Sequence, residues 1–133
     1  MNINHFRDFD IDDEKLFFSM AQWFYQSDSA YNGVDQKVLR NTFTSCVNKS
    51  PFIRGIFLCC DNEVCGYTLL TFTYSNEYGG KIMEIDEIYI IDKFRKKGLA
   101  SYFISKIITD YKNEVACIEV VVKKENEIAL NLF

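Results

Sequence analysis

The sequence is poor in residues that interrupt or cross-link a chain. It contains one proline, six glycines and a single histidine among 133 residues. Because 48% of the residues are hydrophobic and 16% aromatic, the chain is too apolar to remain disordered. Its length suits one domain with one core, so we predict a single domain over residues 1–133.

The five cysteines lack the spacing of metal ligands. No two of them form a C-x-x-C pair, and one histidine is too few for a typical zinc site. Several lie in apolar runs such as residues 56–60, which favours reduced cysteines with a structural role and no bound metal. We expect the histidine, His5, at the surface or at a strand end.

Long apolar runs and an excess of positive charge are also missing. No stretch approaches the roughly 18 residues that span a bilayer. Residues 1–10 lack the basic and apolar regions of a secretion signal. The net charge of −4 argues against a protein that binds nucleic acid mainly through phosphates. We therefore expect a cytoplasmic protein that binds neither membranes nor nucleic acid.

Helical and strand patterns follow one another along the chain. A first helix, capped by Asp12 or Asp13, is predicted to end near Ser27, and a second begins near Asp35 and is closed by Pro51. Strands are predicted at residues 53–60, 64–74, 81–91 and 117–122, a third helix after residue 98, and a short helix at 126–133. The first two of these strands form an antiparallel hairpin, whereas strand, helix and strand in succession predict a parallel pair.

A cationic cluster at residues 93–97 stands out in this acidic chain. It directly precedes Gly98 and the first N–H groups of the third helix. Glycine lets the backbone approach a ligand, and the small residues Ala100 and Ser101 keep the first helical turn accessible. Helix N-termini favour anions, so this segment predicts a pyrophosphate site. The alternative is a solvated basic loop.

The spacing Arg95-x-x-Gly98-x-Ala100 resembles the R/Q-x-x-G-x-G/A signature of the GNAT superfamily of acyl-CoA-dependent N-acyltransferases. Residues 126–133 resemble the N-x-x-A-x-x-x-Y segment of that family, and residues 65–90 resemble its diamine (spermidine/spermine) acetyltransferase subgroup. The resemblance implies a GNAT-type α/β fold, with a mixed, mostly antiparallel sheet flanked by helices. It also implies acetyl-CoA as co-substrate and a small primary amine, polyamine-like or diamine-like, as acceptor.

The resemblance further implies which residues bind acetyl-CoA. The end of the fourth strand would bind the pantetheine arm through its backbone, and the following loop would hold the pyrophosphate. The implied residues are Ile88, Tyr89, Ile90, Arg95, Lys96, Lys97, Gly98, Leu99, Ala100, Ser101 and Asn126. A backbone N–H near Ile90 would stabilise the oxyanion of the reaction.

Three acidic residues, Glu84, Asp86 and Glu87, interrupt the fourth strand. Charged residues in a central strand are candidate site residues, unless one face of the strand is solvated. Period-two alternation places Glu84 and Asp86 on one face and Glu87 on the other. Ile88 and Ile90 would share the first face. The resemblance makes Asp86 the base that deprotonates the acceptor amine, while all three acids would attract a cationic substrate.

Two departures from the family pattern leave alternatives open. Phe133 occupies the position of the tyrosine that usually protonates the leaving thiolate. The chain also ends before the last strands of the family, which predicts an uncovered edge on the fifth strand and hence a homodimer or swapped arrangement, or a longer natural protein. The alternatives to an enzyme are a catalytically weak or inactive acyl-CoA-binding module and a structural domain whose basic loop meets an acidic partner.

Overall fold

The computed structural model describes residues 4–26 and 34–121, which form strands and helices in mixed order. The strands are β1 (Asn4–Asp8), β2 (Ile53–Cys60), β3 (Glu63–Ser75), β4 (Gly80–Ile90) and β5 (Cys117–Val120), and the helices are α1 (Glu14–Gln26), α2 (Gln36–Val47) and α3 (Leu99–Tyr111). Among these residues, no helix has the length and apolar character needed to span a bilayer. The predicted helix at 126–133 and residue 122 of the predicted last strand lie outside the described residues.

The strands form one sheet in the order β1-β2-β3-β4-β5. Neighbouring strands are antiparallel except β4 and β5, which are parallel and connected through α3. In the β2–β3 hairpin, Asp61 and Asn62 have φ angles of 52° and 68°, as a two-residue turn that matches the twist of its strands requires. This mixed, mostly antiparallel sheet confirms the predicted fold class.

Helices cover the two faces of the sheet with different side chains. The face under α1 and α2, here called the aromatic face, includes Phe9, Phe17, Phe43, Phe57, Tyr67 and Tyr89. The face under α3, here called the aliphatic face, includes Ile56, Leu70, Met83, Ile85, Ile107 and Ile118. All five cysteines are free, and three of them are buried. Burial of these apolar groups is the main force that holds the helices on the sheet.

The N-terminal segment differs from its prediction. Asn4–Asp8 forms an edge strand on β2, with His5 opposite Cys59. A short 3-10 turn precedes α1, and its cap is Asp10, whose side chain accepts a hydrogen bond from the N–H of Asp12. The prediction of Asp12 or Asp13 as cap was wrong, because this turn starts the helical segment earlier. By contrast, the start of α2 near Asp35 is confirmed, and Asp35 is its cap, although α2 already ends at Val47.

Candidate functional site

In the described residues, β5 is paired only with the first half of β4. Their pairing runs from Ile82 to Ile85 on β4, and the N–H of Val121 donates to the carbonyl of Ile85 at 3.0 Å. Residues 86–90 continue past the described part of β5, while β3 still pairs with them, for instance at Ile90 opposite Gly66. Within the described chain, this carboxyl-terminal half of β4 therefore presents a backbone edge of the kind to which an extended ligand can hydrogen-bond.

A β-bulge marks the boundary between the two halves of β4. Leu70 on β3 pairs with Ile85, but Leu69 pairs with Glu87, so Asp86 is an extra residue. Such a bulge bends the strand and changes the face to which the following side chains point. Bulges are common next to active sites, where they redirect a side chain.

The bulge also overturns the predicted faces of the acidic residues. The neighbours of Glu84 on either side belong to the aliphatic core, so Glu84 lies on the aromatic face. Glu87 lies on the same face, where its hydroxyl donors are found. The prediction that Glu84 shares a face with Ile88 and Ile90 was wrong. The extra residue at Asp86 shifts the alternation of side-chain faces by one position in the rest of β4.

Glu87 is the centre of a buried polar network. Its side chain is buried, and one carboxylate oxygen accepts a hydrogen bond from the hydroxyl of Tyr67 at 2.8 Å, while the other accepts from the hydroxyl of Tyr25. Burial, together with the Glu87 carboxylate, raises the pKa of both tyrosines, so both stay protonated as donors. Sequence analysis missed this network because its partners are 20 and 62 positions apart.

The other two acids are less buried and differ in their surroundings. Loss of solvation raises the pKa of Asp86, which makes its carboxylate a stronger base than one on the surface. Burial and the nearby carboxylate of Glu119 raise the pKa of Glu84. Glu119 lies opposite Glu84 on β5, a neighbour that only the parallel register reveals.

The basic loop leads into an accessible helix N-terminus. After the short turn Asp92–Phe94, Lys96 and Gly98 adopt left-handed φ angles of 64° and 72°. No side chain caps α3 at Gly98, so the N–H groups of its first turn remain for an anion. A cavity of about 140 Å³ opens here, lined by Ile90, Phe94, Arg95, Lys96, Gly98, Leu99, Ala100 and Ser101. Seven of these eight residues are predicted cofactor-binding residues.

Arg95 links this loop to the end of β4. Its Nε donates a hydrogen bond to the carbonyl of Ile90 at 2.7 Å, and its guanidinium carbon lies 5.3 Å from the centre of the Tyr89 ring. Arg95 and Tyr89 also line a larger cavity of about 660 Å³, whose opposite wall is α1 with the exposed Trp23. The arginine thus contributes positive charge to both cavities.

The remaining predicted cofactor residues are more dispersed. Ile88 is half-buried on the aliphatic face, near Phe103 of α3. Lys97 is exposed, with its Nζ 6.0 Å from the centre of the Phe94 ring. Asn126 and Phe133 lie outside the described residues. The structure therefore brings the end of β4 and the basic loop at residues 93–97 together. The role of residues 126–133 stays a prediction.

Comparison with protein-family models shows the family of the chain. Residues 15–133 match the model of the Acetyltransferase (GNAT) family. The match covers most of the chain, and the chain belongs to this family. The family predicted from the motif at residues 95–100 is thereby confirmed, whereas nothing singles out the diamine subgroup. No curated protein matches the sequence.

Solved structures with the same fold are distant in sequence. A possible acetyltransferase from Clostridium difficile 630 has 17% identity and a TM-score of 0.79, over 93% of this chain and 82% of that one. A protein described as a predicted acetyltransferase with acetyl-CoA, from Clostridium acetobutylicum, has 18% identity and a TM-score of 0.72, over 92% and 83%. An aminoglycoside N-acetyltransferase in complex with CoA has 12% identity and a TM-score of 0.71, over 95% and 81%. At these identities the likeness concerns the fold alone.

Proposed function

We propose that the protein transfers an acetyl group from acetyl-CoA to a primary amine of a small, polyamine-like or diamine-like molecule. One observation carries this proposal: β4 runs past the described part of β5 and leads through a basic loop into an uncapped helix N-terminus. An extended edge followed by an anion site matches the two chemically different parts of the cofactor, an amide-containing arm and a pyrophosphate. The acetyl-CoA and CoA complexes of the structural relatives support the same assignment.

The cofactor would lie along the boundary between strand and helix. The backbone of Ile88–Ile90 would hydrogen-bond the pantetheine arm, and the N–H groups of residues 98–101 would hold the pyrophosphate. Arg95, Lys96 and Lys97 supply positive charge around this position. At Gly98, a β-carbon would meet no protein atom within 4 Å, so its place is open to a ligand.

Proton removal is the demanding part of the reaction. An alkylamine with a pKa near 10.4 is mostly protonated at pH 7, and holding it neutral costs about 4 to 5 kcal/mol. We assign this step to the Asp86 carboxylate, whose pKa is raised by loss of solvation. The neutral nitrogen then attacks the thioester carbonyl to form a tetrahedral intermediate. Its collapse breaks the C–S bond, and the CoA thiolate takes up the proton that the nitrogen loses. A backbone N–H near Ile90 would stabilise the oxyanion.

The acceptor is proposed from charge. Glu84, Asp86 and Glu87 lie within one stretch of β4, and Glu119 adds a fourth carboxylate from β5. A cluster of this sign attracts a cationic amine and raises its local concentration. Glu87 is already held by two tyrosines, so Glu84 and Asp86 are the more accessible partners for an ammonium group.

Cofactor binding is tested by thermal unfolding with acetyl-CoA. At one hundred times the dissociation constant, the ligand should add about 2.7 kcal/mol to the free energy of unfolding. Gly98→Val should lose this gain. Gly79→Val is the matched control, because Gly79 also has a left-handed φ, 65°, and open space around its Cα, but lies in the β3–β4 turn. Equal behaviour of the two variants, or no gain in the parent protein, would contradict the cofactor site.

Turnover is tested by thiol release from acetyl-CoA with a panel of amines. Spermidine, putrescine, an amino acid and an aminoglycoside cover the acceptor classes, and we expect the first two to react fastest. Release with none of them, despite acetyl-CoA binding, would identify the chain as a non-catalytic acyl-CoA-binding module.

A homodimer is proposed as well, because β5 is the last strand in the sheet order of the described residues. An edge strand is a template for pairing with a second copy. Sedimentation at micromolar concentration should show the mass of two chains, and a monomer would contradict this proposal.

A further inference from the structure

A third cavity lies at the other end of β4. Its volume is about 450 Å³, and it is formed where the end of β1, the α2–β2 connection, the start of β4 and the end of α3 meet. None of its lining residues belongs to either cavity at the carboxyl end of β4. Lys81, which lines it, is separated from Ile90 by about 30 Å of extended strand. This cavity is therefore distinct from the proposed acetyl-CoA site.

The charge of this cavity is opposite to that of the chain. Lys49, Arg54 and Lys81 line it, and Asp8 is the one carboxylate among its lining residues. The cavity thus carries a net positive charge within a protein whose net charge is −4. Cations that converge on a concave surface attract an anion and disfavour an ammonium ion.

The arginine of the cavity is fixed in place. Its Nε and Nη2 donate to the Asp8 carboxylate at 2.8 and 3.3 Å, and its Nη1 donates to the hydroxyl oxygen of Tyr111 at 2.8 Å. Because the Tyr111 oxygen accepts this bond, its own proton is left to be donated to another acceptor. Arg54 therefore orients the Tyr111 hydroxyl as a donor for a ligand oxygen.

An apolar wall completes the cavity. Phe9, Ile53 and Phe72 contribute to it, and the rings of Phe72 and Tyr111 have their centres 5.8 Å apart. The Nζ of Lys81 lies 5.6 Å from the centre of the Phe72 ring. Positive charge thus lies beside apolar and aromatic side chains, a combination that suits a ligand with an anionic group on an aromatic body.

We propose that this cavity binds a small anion in which a carboxylate or phosphate group is attached to an aromatic body. The anionic group contacts Lys49, Lys81 and the Tyr111 hydroxyl, and the aromatic body lies against Phe72. The site is separate from the acetyl-CoA site, so the proposal does not depend on the proposed function.

Phenyl phosphate is a suitable probe, measured by calorimetry on the whole protein in the presence of excess CoA. Bound CoA should prevent phenyl phosphate from binding to the basic loop at residues 93–98. We expect one molecule of phenyl phosphate per chain, weaker binding of inorganic phosphate, and no binding of benzyl alcohol. Absence of phenyl phosphate binding at millimolar concentration, or equal affinities for phenyl phosphate and inorganic phosphate, would overturn the proposal.

Two variants locate the binding. Lys81→Gln should weaken phenyl phosphate binding about tenfold, because it removes one charge-assisted hydrogen bond. Lys49→Asn should act similarly, and asparagine tolerates the left-handed φ of 58° at this position. Lys106→Gln is the matched control, since the Lys106 Nζ also lies over a ring, 5.4 Å from the centre of Phe6, but outside the cavity. Equal weakening by Lys106→Gln would contradict a specific site.

Discussion

The two halves of β4 differ in how their edges are paired. Residues 80–85 are paired with β3, and their pairing with β5 includes Glu84 opposite Glu119. Residues 86–90 begin with a bulge, remain paired with β3 and run beyond the described part of β5. The first half thus contributes to the sheet on both sides, whereas the second, within the described residues, is paired with β3 only.

The side chains directly before and after the start of the bulge differ in burial. Met83 and Ile85 in the first half are fully buried in the aliphatic core. Asp86 in the second half is only half-buried, and the loop that follows carries the cationic cluster. Adjacent residues, Ile85 and Asp86, therefore have opposite expected roles, and substitutions at these positions are the sharpest way to test the difference.

The largest effect is expected at Asp86. In Asp86→Asn, kcat should fall by about 10²- to 10⁴-fold, the usual contribution of a general base, while the stabilisation by acetyl-CoA stays unchanged. Because the pKa of Asp86 is raised by burial, kcat of the parent protein should fall as the pH drops through that raised pKa. The variant should lack this fall.

Asp110→Asn is the control for this prediction, because Asp110 is exposed on α3. Steady-state thiol release measures both variants. A kcat of Asp86→Asn equal to that of the control would show that Asp86 is not the base.

The neighbouring substitution, Ile85→Ala, should affect stability instead. Removal of a fully buried isoleucine lowers the free energy of unfolding by about 2–5 kcal/mol through lost burial and the cavity left behind. Ile82→Ala, at a half-buried position of the same half, should cost less. Denaturant titration measures both losses. Unchanged stability of Ile85→Ala, or a lower affinity of the folded variant for acetyl-CoA, would contradict a purely structural role of Ile85.

A smaller loss of stability is expected when a hydroxyl donor to Glu87, in the second half of β4, is removed. Tyr67→Phe removes a hydroxyl donor from the buried Glu87 carboxylate and should cost about 1–3 kcal/mol. Tyr25→Phe should cost less, because Tyr25 is only half-buried. Thermal unfolding compares them. If Tyr67→Phe were as stable as the parent protein, the hydrogen bond from Tyr67 to Glu87 would contribute nothing to stability.

The smallest effect is expected at the acid pair of the first half. Glu84 has a raised pKa, so the folded state binds its proton more tightly than the unfolded state and loses stability as pH rises through that pKa. Glu119→Gln removes the facing charge and should add about 0.2–1 kcal/mol at pH 7. The gain should vanish at low pH, where the acids are protonated in both states.

Glu114→Gln, at an exposed position before β5, controls for the change in net charge. Unfolding is followed by urea titration at pH 7 and at low pH. A pH-independent gain, or the same gain in the control, would argue against repulsion between Glu84 and Glu119.

Much of the fold was predictable because local patterns determine it. The bounds of β2, the antiparallel hairpin that follows it and the start of α2 near Asp35 follow from residue types within a few positions. The motif at Arg95–Ala100 was likewise readable, since a loop that opens a helix is a continuous piece of sequence. The cavity at the start of α3 brings most of these residues together.

The arrangement of the acids was not predictable, because it depends on the register of β3. A single extra residue at Asp86 reverses the face of every later side chain, and alternation alone cannot reveal it. The hydroxyl donors to Glu87 come from α1 and β3, so no sequence spacing predicts them. A candidate site could be proposed from the sequence, but the arrangement of its acidic residues required the fold.

Hydrogen–deuterium exchange with and without acetyl-CoA tests most directly whether the cofactor lies along the second half of β4. Acetyl-CoA should slow exchange in peptides that cover residues 86–101, and leave those that cover residues 80–85 unchanged. Unaltered exchange at 86–101 in protein saturated with acetyl-CoA, or protection confined to another region, would contradict the account.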